Sequence, residues 1–182
     1  MWVNAGPDDV SDCYQVDFVV TIVSGPDKVD VTARIDKNAL GAAVRARGVE
    51  CLALQADLVL HCGESTGGFY LATLCAIDVA SGWTELQPIW GLGMQRVGTG
   101  FHHIRQRLPF PLQSLHTDNG TEFINQTLYN WCRQEKIAFT RGRAYRKNDQ
   151  AYVEQRNWLT VRRQVGYDRF SSKEAYALLG QL

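Results

Sequence analysis

Three acids sit where a folded chain would not place an acid without a reason. Asp57 interrupts ADLVLHC, a run in which Leu52, Leu54, Leu58 and Leu60 share one face of a strand, and it takes the other face of an otherwise apolar stretch. Glu154 lines up with Trp158, Val161 and Val165 at i, i+4, i+7 and i+11, so the helical period puts its carboxylate on the apolar stripe. Asp118 ends the approach PLQSL within HTDNGTEF, directly before Asn119-Gly120, the dipeptide that best tolerates a left-handed turn. Asp, Asn and Gly are also the ordinary material of tight turns, so Asp118 gains meaning only beside the other two. A buried, unpaired carboxylate costs several kcal/mol or is forced neutral. Convergence on a divalent cation removes that cost: Mg²⁺ or Mn²⁺ prefers hard oxygen ligands, takes one or two carboxylates per ion and leaves other positions to water and phosphate. Sixty residues separate Asp57 from Asp118, and 35 separate Asp118 from Glu154.

No other set of residues competes for a metal. The five cysteines (Cys13, Cys51, Cys62, Cys75, Cys132) are odd in number, widely spread and never spaced C-x-x-C, which argues against a disulfide framework or a zinc knuckle and fits reduced thiols in a cytosolic compartment. His102 and His103 are adjacent, so on a helix they point apart, as surface residues do.

Net charge is zero over 182 residues, yet the halves differ. Residues 1–100 carry 12 acids and 6 bases; residues 101–182 carry 7 acids and 13 bases, which turns the later half toward polyanions. Most of the excess lies in 133–163, where Arg133, Lys136, Arg141, Arg143, Arg146, Lys147, Arg156, Arg162 and Arg163 face only Glu135, Asp149 and Glu154. No signal peptide pattern follows Met1, and no apolar run approaches the roughly 18 residues of a membrane span.

The elements that must position the acids follow from periodicity. QVDFVVTIV and KVDVTARID alternate and are joined by Ser24-Gly25-Pro26-Asp27, a hairpin, and NALGAAVRARG reads as a short helix closed by Gly48. From residue 51, CLALQADLVLHC, FYLATLCAIDV and WTELQPIW form a three-stranded meander, with Pro88 marking an edge strand. Met94, Val97, Phe101 and Ile104 stripe a helix that Pro109 stops, and the next strand delivers Asp118 at its end. Ile124, Leu128, Trp131 and Cys132 stripe a second helix, IAFTRG is a fifth strand, and RAYRKN is a polar loop before the helix of Glu154. SSKEAYALL opens a final helix with Ser171 and Glu174 spaced as a capping box. Strands first, then helices alternating with strands, indicate an α/β domain with one mixed sheet covered by helices. The expected boundary puts an extension at 1–50, a hairpin and short helix whose packing the pattern does not define, before a core at 51–182.

With these elements in place, ADLVLHC around Asp57, HTDNGTEF around Asp118 and YRKNDQAYVEQRN around Glu154 resemble the retroviral-type integrases and bacterial insertion-sequence transposases with an Asp, Asp, 35 residues, Glu triad. The resemblance covers roughly residues 52–182. It implies a ribonuclease H-like fold with a mixed five-stranded sheet, in which Asp57, Asp118 and Glu154 hold two Mg²⁺ or Mn²⁺ ions for in-line phosphodiester displacement. Water is then the attacker in end cutting, and a DNA 3′-hydroxyl in strand transfer. The implied partner is double-stranded DNA, both element ends and target, with self-association on DNA in the bacterial cytoplasm. Tyr145 and Gln150 match positions where the family's mobile loop touches DNA.

Two departures accompany the resemblance. Retroviral members place lysines four and seven residues after the glutamate, where this chain has Trp158 and Val161, so phosphate contacts pass to Arg156, Arg162 and Arg163 or to Arg141, Arg143, Arg146 and Lys147. Residues 1–50, with 8 acids, 5 bases and no His, do not read as the family's N-terminal DNA-end-reading domain, which suggests a truncated or rearranged copy of an element. Two alternatives keep the fold: a hydrolytic nuclease that does not join strands, and a non-catalytic remnant that binds DNA or a partner through its basic region. Two-carboxylate glycoside hydrolysis leaves the basic segment without a purpose.

Overall fold

The computed structural model describes residues 15–24, 27–36, 52–123, 125–142 and 150–182. The chain divides into two compact units, Met1–Gly48 and Val49–Leu182. In the first, β1 (Gln15–Ser24) and β2 (Asp27–Asp36) pair antiparallel, with Val16 opposite Ile35, Val20 opposite Val31 and Ile22 opposite Val29. The two alternating rows read from the sequence therefore lie in direct register. The expected helix over 38–48 lies outside the described residues.

The second unit is built on one mixed sheet. Strands β3 (Leu52–His61), β4 (Leu71–Asp78) and β5 (Thr84–Ile89) form an antiparallel meander; β6 (Leu112–Thr117) and β7 (Ala138–Arg141) add in parallel on the other side of β3, giving the order β5-β4-β3-β6-β7. Pro88 does lie on an edge strand, where its missing N–H leaves no neighbour unpaired. Every residue of β4 is buried, as a strand covered on both faces must be.

One face is closed by α1 (Met94–Arg107), through Val97, Gly100, Phe101 and Ile104. Met94, read from the period as part of that stripe, is instead 51% exposed at the helix's first turn. Gly100 is what lets α1 approach closely: a Cβ there would lie 2.5 Å from Ile89 Cδ1 and 3.3 Å from Leu74 Cδ2, both on fully buried side chains. The helix end is tied to the edge strand by Arg107, which donates to Glu85 Oε2 (2.8 Å), Gln87 Oε1 (2.8 Å) and the Leu86 carbonyl (2.9 Å). Glu85 also accepts from Trp83 Nε1. We expect Arg107→Ala to lower unfolding free energy by about 1.5–3 kcal/mol, the range for hydrogen bonds to charged groups, because Glu85 keeps a poorly hydrated carboxylate. A lower urea midpoint at unchanged slope checks this.

Helix α2 (Gln126–Gln134) buries Leu128, Trp131 and Cys132 and is capped by Asn125, whose side chain accepts from Leu128 N; Ile124 lies outside the described residues. The other face of the sheet receives α3 (Ala151–Arg156), whose Val153 packs on Cys75 and Ile77 with Leu86 at the rim. The chain closes with α4 (Lys173–Leu179). Its cap is Ser172, which accepts from Ala175 N at 3.1 Å, one residue beyond the Ser171 that the capping-box spacing suggested. A serine pair offers two hydroxyls at the helix start, and the second is the one with the extended backbone a cap requires. Arg169 fastens the glycine-rich turn after β3, donating to the carbonyls of Cys62, Ser65, Gly67 and Phe69.

One further buried acid is explained by its donors. Asp78 is fully buried at the end of β4, but its oxygens accept from Ala53 N on β3 (2.9 Å) and, in the turn that follows, from Ser81 N (2.7 Å) and Ser81 Oγ (2.6 Å). No helix among the described residues is long and apolar enough to cross a membrane.

Candidate functional site

Asp57 lies in the middle of β3, the central strand, on the face that receives α3. Its Oδ1 accepts from Leu58 N at 2.7 Å, and its Oδ2 accepts from Asn157 Nδ2 at 2.7 Å. Burial pushes its carboxyl up to about 6, and the negative charges of Asp118 and Glu154 push in the same direction, against the lowering by those two donors. Both other acids singled out in the sequence are thus close enough for Asp57 to feel their charge.

Asp118 stands one residue past β6, the strand parallel to β3, and is half-buried. Its Oδ1 accepts from Gly120 N at 2.9 Å, an Asx-type turn that fixes the carboxylate at the strand end. A Cβ added at Gly120 would meet Glu122 Oε1 at 2.8 Å and Asp118 Oδ1 at 3.0 Å, so a larger residue there would displace the ends of these two carboxylates. Asn119 donates to the Gly142 carbonyl at 2.7 Å, which fastens this turn to the end of β7.

Glu154 requires a correction. It is exposed, as is Trp158, and of the stripe Glu154, Trp158, Val161, Val165 only Val161 is buried. The helix leaves α-geometry after Arg156 and runs as a π-helix over Asn157–Arg162 before a last turn at Arg163–Val165. A π turn holds more residues than an α turn, so the inward positions repeat about every fourth residue: Val153 and Val161 are completely buried, and Asn157 lies between them. This spacing aims Asn157 at Asp57 and turns Glu154 outward. Asn157 is the site residue that periodicity alone missed, since its polar side chain looks unremarkable until the helix widens.

Asn157 Oδ1, on the side chain that donates to Asp57, is buried without a partner, and so is Gln150 Nε2. Gln150 is only 7% exposed at the start of α3. Among the described residues, no three His, Cys, Asp or Glu side chains form a set that could hold a metal ion. Asp57, Asp118 and Glu154 therefore form a cluster within Coulombic reach but not a closed ligand shell, each aspartate being turned onto local donors.

The basic residues divide. Arg141 and Arg163 are exposed, and Arg156 is half-buried, with Nη2 close against Gly82 at the β4–β5 turn. Arg162 is committed to the fold, donating to the Leu60 carbonyl at 2.8 Å and to the Gly166 carbonyl at 3.3 Å, with its guanidinium 4.7 Å from the centre of the Tyr167 ring. Arg143, Tyr145, Arg146 and Lys147 lie outside the described residues. Cys75, beside Asp57 across the β3–β4 pair, is held protonated by burial, its thiol pushed up to about 12.

A three-stranded meander extended by two parallel strands, with helices on both faces and an aspartate at the centre of the first strand, is a ribonuclease H-like fold of the kind seen in integrase cores. Among solved structures, a chain of the simian T-cell lymphotropic virus intasome, in complex with the PP2A regulatory subunit B56 gamma, matches 70% of this chain and 46% of its own length with a TM-score of 0.52 and 16% identity. At that identity the likeness is one of fold. In sequence, the uncharacterized protein y4rM of Sinorhizobium fredii is 43% identical over 129 residues, which is 71% of this chain and 37% of that protein. The Pol polyprotein of equine infectious anemia virus is 31% identical over 108 residues, 59% of this chain and 8% of the polyprotein. The chain thus spans well under half the length of either relative. No protein-family model matches it.

Proposed function

We propose that the Val49–Leu182 unit is the catalytic core of a transposase or integrase, cutting DNA phosphodiesters and joining strands in a metal-dependent reaction. The observation that carries this reading is Asp57, raised by burial and by the charges of Asp118 and Glu154 at the centre of an integrase-type sheet. A fold does not by itself confer an activity; this cluster is what supports one. The donor chemistry fits a hard divalent cation. All three side chains offer oxygen, and the protonation cost at Asp57 is one that a cation's charge would relieve. Asp57, Asp118 and Glu154 would hold the ions, which supply charge stabilisation to the attacking and leaving oxygens when bound.

The chain's own residues do the positioning. Asn157 fixes the rotamer of Asp57 through its 2.7 Å hydrogen bond, and the Gly120 amide fixes that of Asp118. Exposed Glu154 projects from the first turns of α3, so it can complete the set without disturbing the packed Val153 beside it. The strand-end location of Asp118 leaves the site open to an extended phosphodiester backbone rather than enclosed by the fold.

The test is a strand-transfer assay with Mg²⁺ or Mn²⁺ and duplexes that carry the ends of the chain's own element. Joined products support the reading; hydrolysis without joining favours a nuclease, and neither in the presence of DNA binding favours a non-catalytic binder. DNA binding itself should be salt-sensitive and nearly independent of sequence. Neutralising Arg141 and Arg163, both exposed, is expected to lower the slope of log affinity against log salt by about one unit for each phosphate that is no longer neutralised. An unchanged slope would move the footprint elsewhere.

A further inference from the structure

We propose that Gln55 is a positioning residue for Glu154: its side-chain carbonyl caps the first turn of α3 from the neighbouring strand and so sets where that carboxylate stands relative to Asp57. This inference rests on the reading of the site as a metal-dependent DNA-processing core.

Helix α3 starts without a cap of its own. The first amides of a helix have no partner within it, and a Ser, Thr, Asp or Asn side chain at the position before usually accepts from one of them. Gln150 holds that position, and its side chain makes no such bond. The acceptor comes instead from 98 residues earlier, where Gln55 Oε1 takes the Val153 amide at 3.4 Å. Gln55 lies two residues before Asp57 on the same face of β3. Val153 in turn packs its side chain on Ile77 and Cys75, which stand opposite Gln55 and Asp57 in the β3–β4 pair. Backbone and side chain of Val153 are thus held against the same short step of the sheet.

This contact is the first of three rungs. Asn157 Nδ2 donates to Asp57 Oδ2 at 2.7 Å and Arg162 Nη2 donates to the Leu60 carbonyl at 2.8 Å, so residues 153, 157 and 162 meet 55, 57 and 60 in order. The spacing agrees with a helix laid along the strand, because two strand residues advance about 6.6 Å and four helical residues about 6 Å. The later two rungs lie beyond Glu154. That residue is exposed in the first turn of α3, and among the described residues its side chain has no hydrogen bond or ion pair. Its carboxylate therefore goes where the turn goes. Removing the Gln55 acceptor leaves the buried Val153 and Val161 in place and frees the turn that carries the acid.

The experiment compares the full chain with Gln55→Leu, which keeps the size of the side chain without its acceptor, and with Gln55→Glu, which keeps the acceptor. Three quantities are read: hydrogen exchange at the Val153 amide, Mn²⁺ affinity from the electron paramagnetic resonance of the free ion, and kcat and KM for metal-dependent cutting of duplexes that carry the element's ends. Gln55→Leu should speed Val153 exchange and lower both Mn²⁺ affinity and kcat by about 3- to 10-fold, the scale of one hydrogen bond, while KM for DNA stays unchanged. Gln55→Glu should keep the amide protected and recover most of kcat. A lost DNA contact would not be recovered this way, since a carboxylate repels phosphate. Unchanged exchange at Val153 in Gln55→Leu, or a raised KM at unchanged kcat, overturns the inference. Equal cutting by wild type and Gln55→Leu overturns it too and leaves the catalytic reading standing, whereas a wild type that binds no Mn²⁺ and cuts no DNA removes the catalytic reading and the positioning role together.

Discussion

Asp118→Asn is expected to abolish metal-dependent DNA cutting while leaving the protein folded. The substitution is nearly isosteric, and Asn can still accept from Gly120 N through its carbonyl oxygen, so the 2.9 Å hydrogen bond that shapes the turn survives. What disappears is a negative charge and one hard oxygen at a site that depends on both. Loss of at least about 10³-fold in rate is expected, roughly 4 kcal/mol of transition-state stabilisation. Denaturation curves should superimpose on wild type. Cutting retained within tenfold would remove Asp118 from the machinery.

The second large effect lies in the coupling of pH, metal and stability at Asp57. Its carboxyl rises from an ordinary 3.8 in the unfolded chain to about 6 in the folded one. The folded state therefore holds this proton more tightly than the unfolded state does. Stability from this group is full below about pH 4 and is lost as pH rises through about 6. The loss amounts to roughly 3 kcal/mol, since each unit of displacement corresponds to about 1.4 kcal/mol. A bound cation replaces the proton as the source of compensating positive charge. At pH 7.5, Mg²⁺ or Mn²⁺ should thus raise the melting temperature by several degrees; at pH 5 the cation must first expel the proton and should do little. Thermal melts at both pH values, with and without metal, decide it. A metal-induced shift of the same size at pH 5 and 7.5 would show that Asp57 is not where the cation acts.

How far the sequence carried this picture depended on whether each signal was local. Alternation gave the meander strands, and Pro88 gave the edge, because both depend on residues within one strand. The two rows of the hairpin, Val16 to Ile22 and Val29 to Ile35, were legible as strands, and the fold adds their register. The carboxylates stood out in the sequence by their types and spacing, but the environment of Glu154 did not. The helix widens after Arg156, and the inward contacts on either side of that point are long-range: Val153 against Cys75 and Ile77, and Asn157 against Asp57, a hundred residues earlier. No window of neighbouring residues contains that information, and a fixed period of 3.6 extrapolated straight through it. The caps failed in a smaller way for the same reason. Ser171 and Ser172 carry the same side chain, and it is Ser172, extended at the helix start, that accepts from Ala175 N.

The π-helical segment also changes how distances along the chain should be counted. A relative whose corresponding helix is regular runs on a numbering one step out of phase with this one beyond Asn157. A side chain seven residues past the glutamate in such a relative has its spatial counterpart here nearer to eight, and both positions serve the fold in this chain: Val161 is completely buried, and Arg162 donates to the Leu60 and Gly166 carbonyls. A gapless alignment pairs the wrong residues over this stretch. Superposed backbones, rather than matched columns, are the proper frame for transplanting residues between this helix and others of its class.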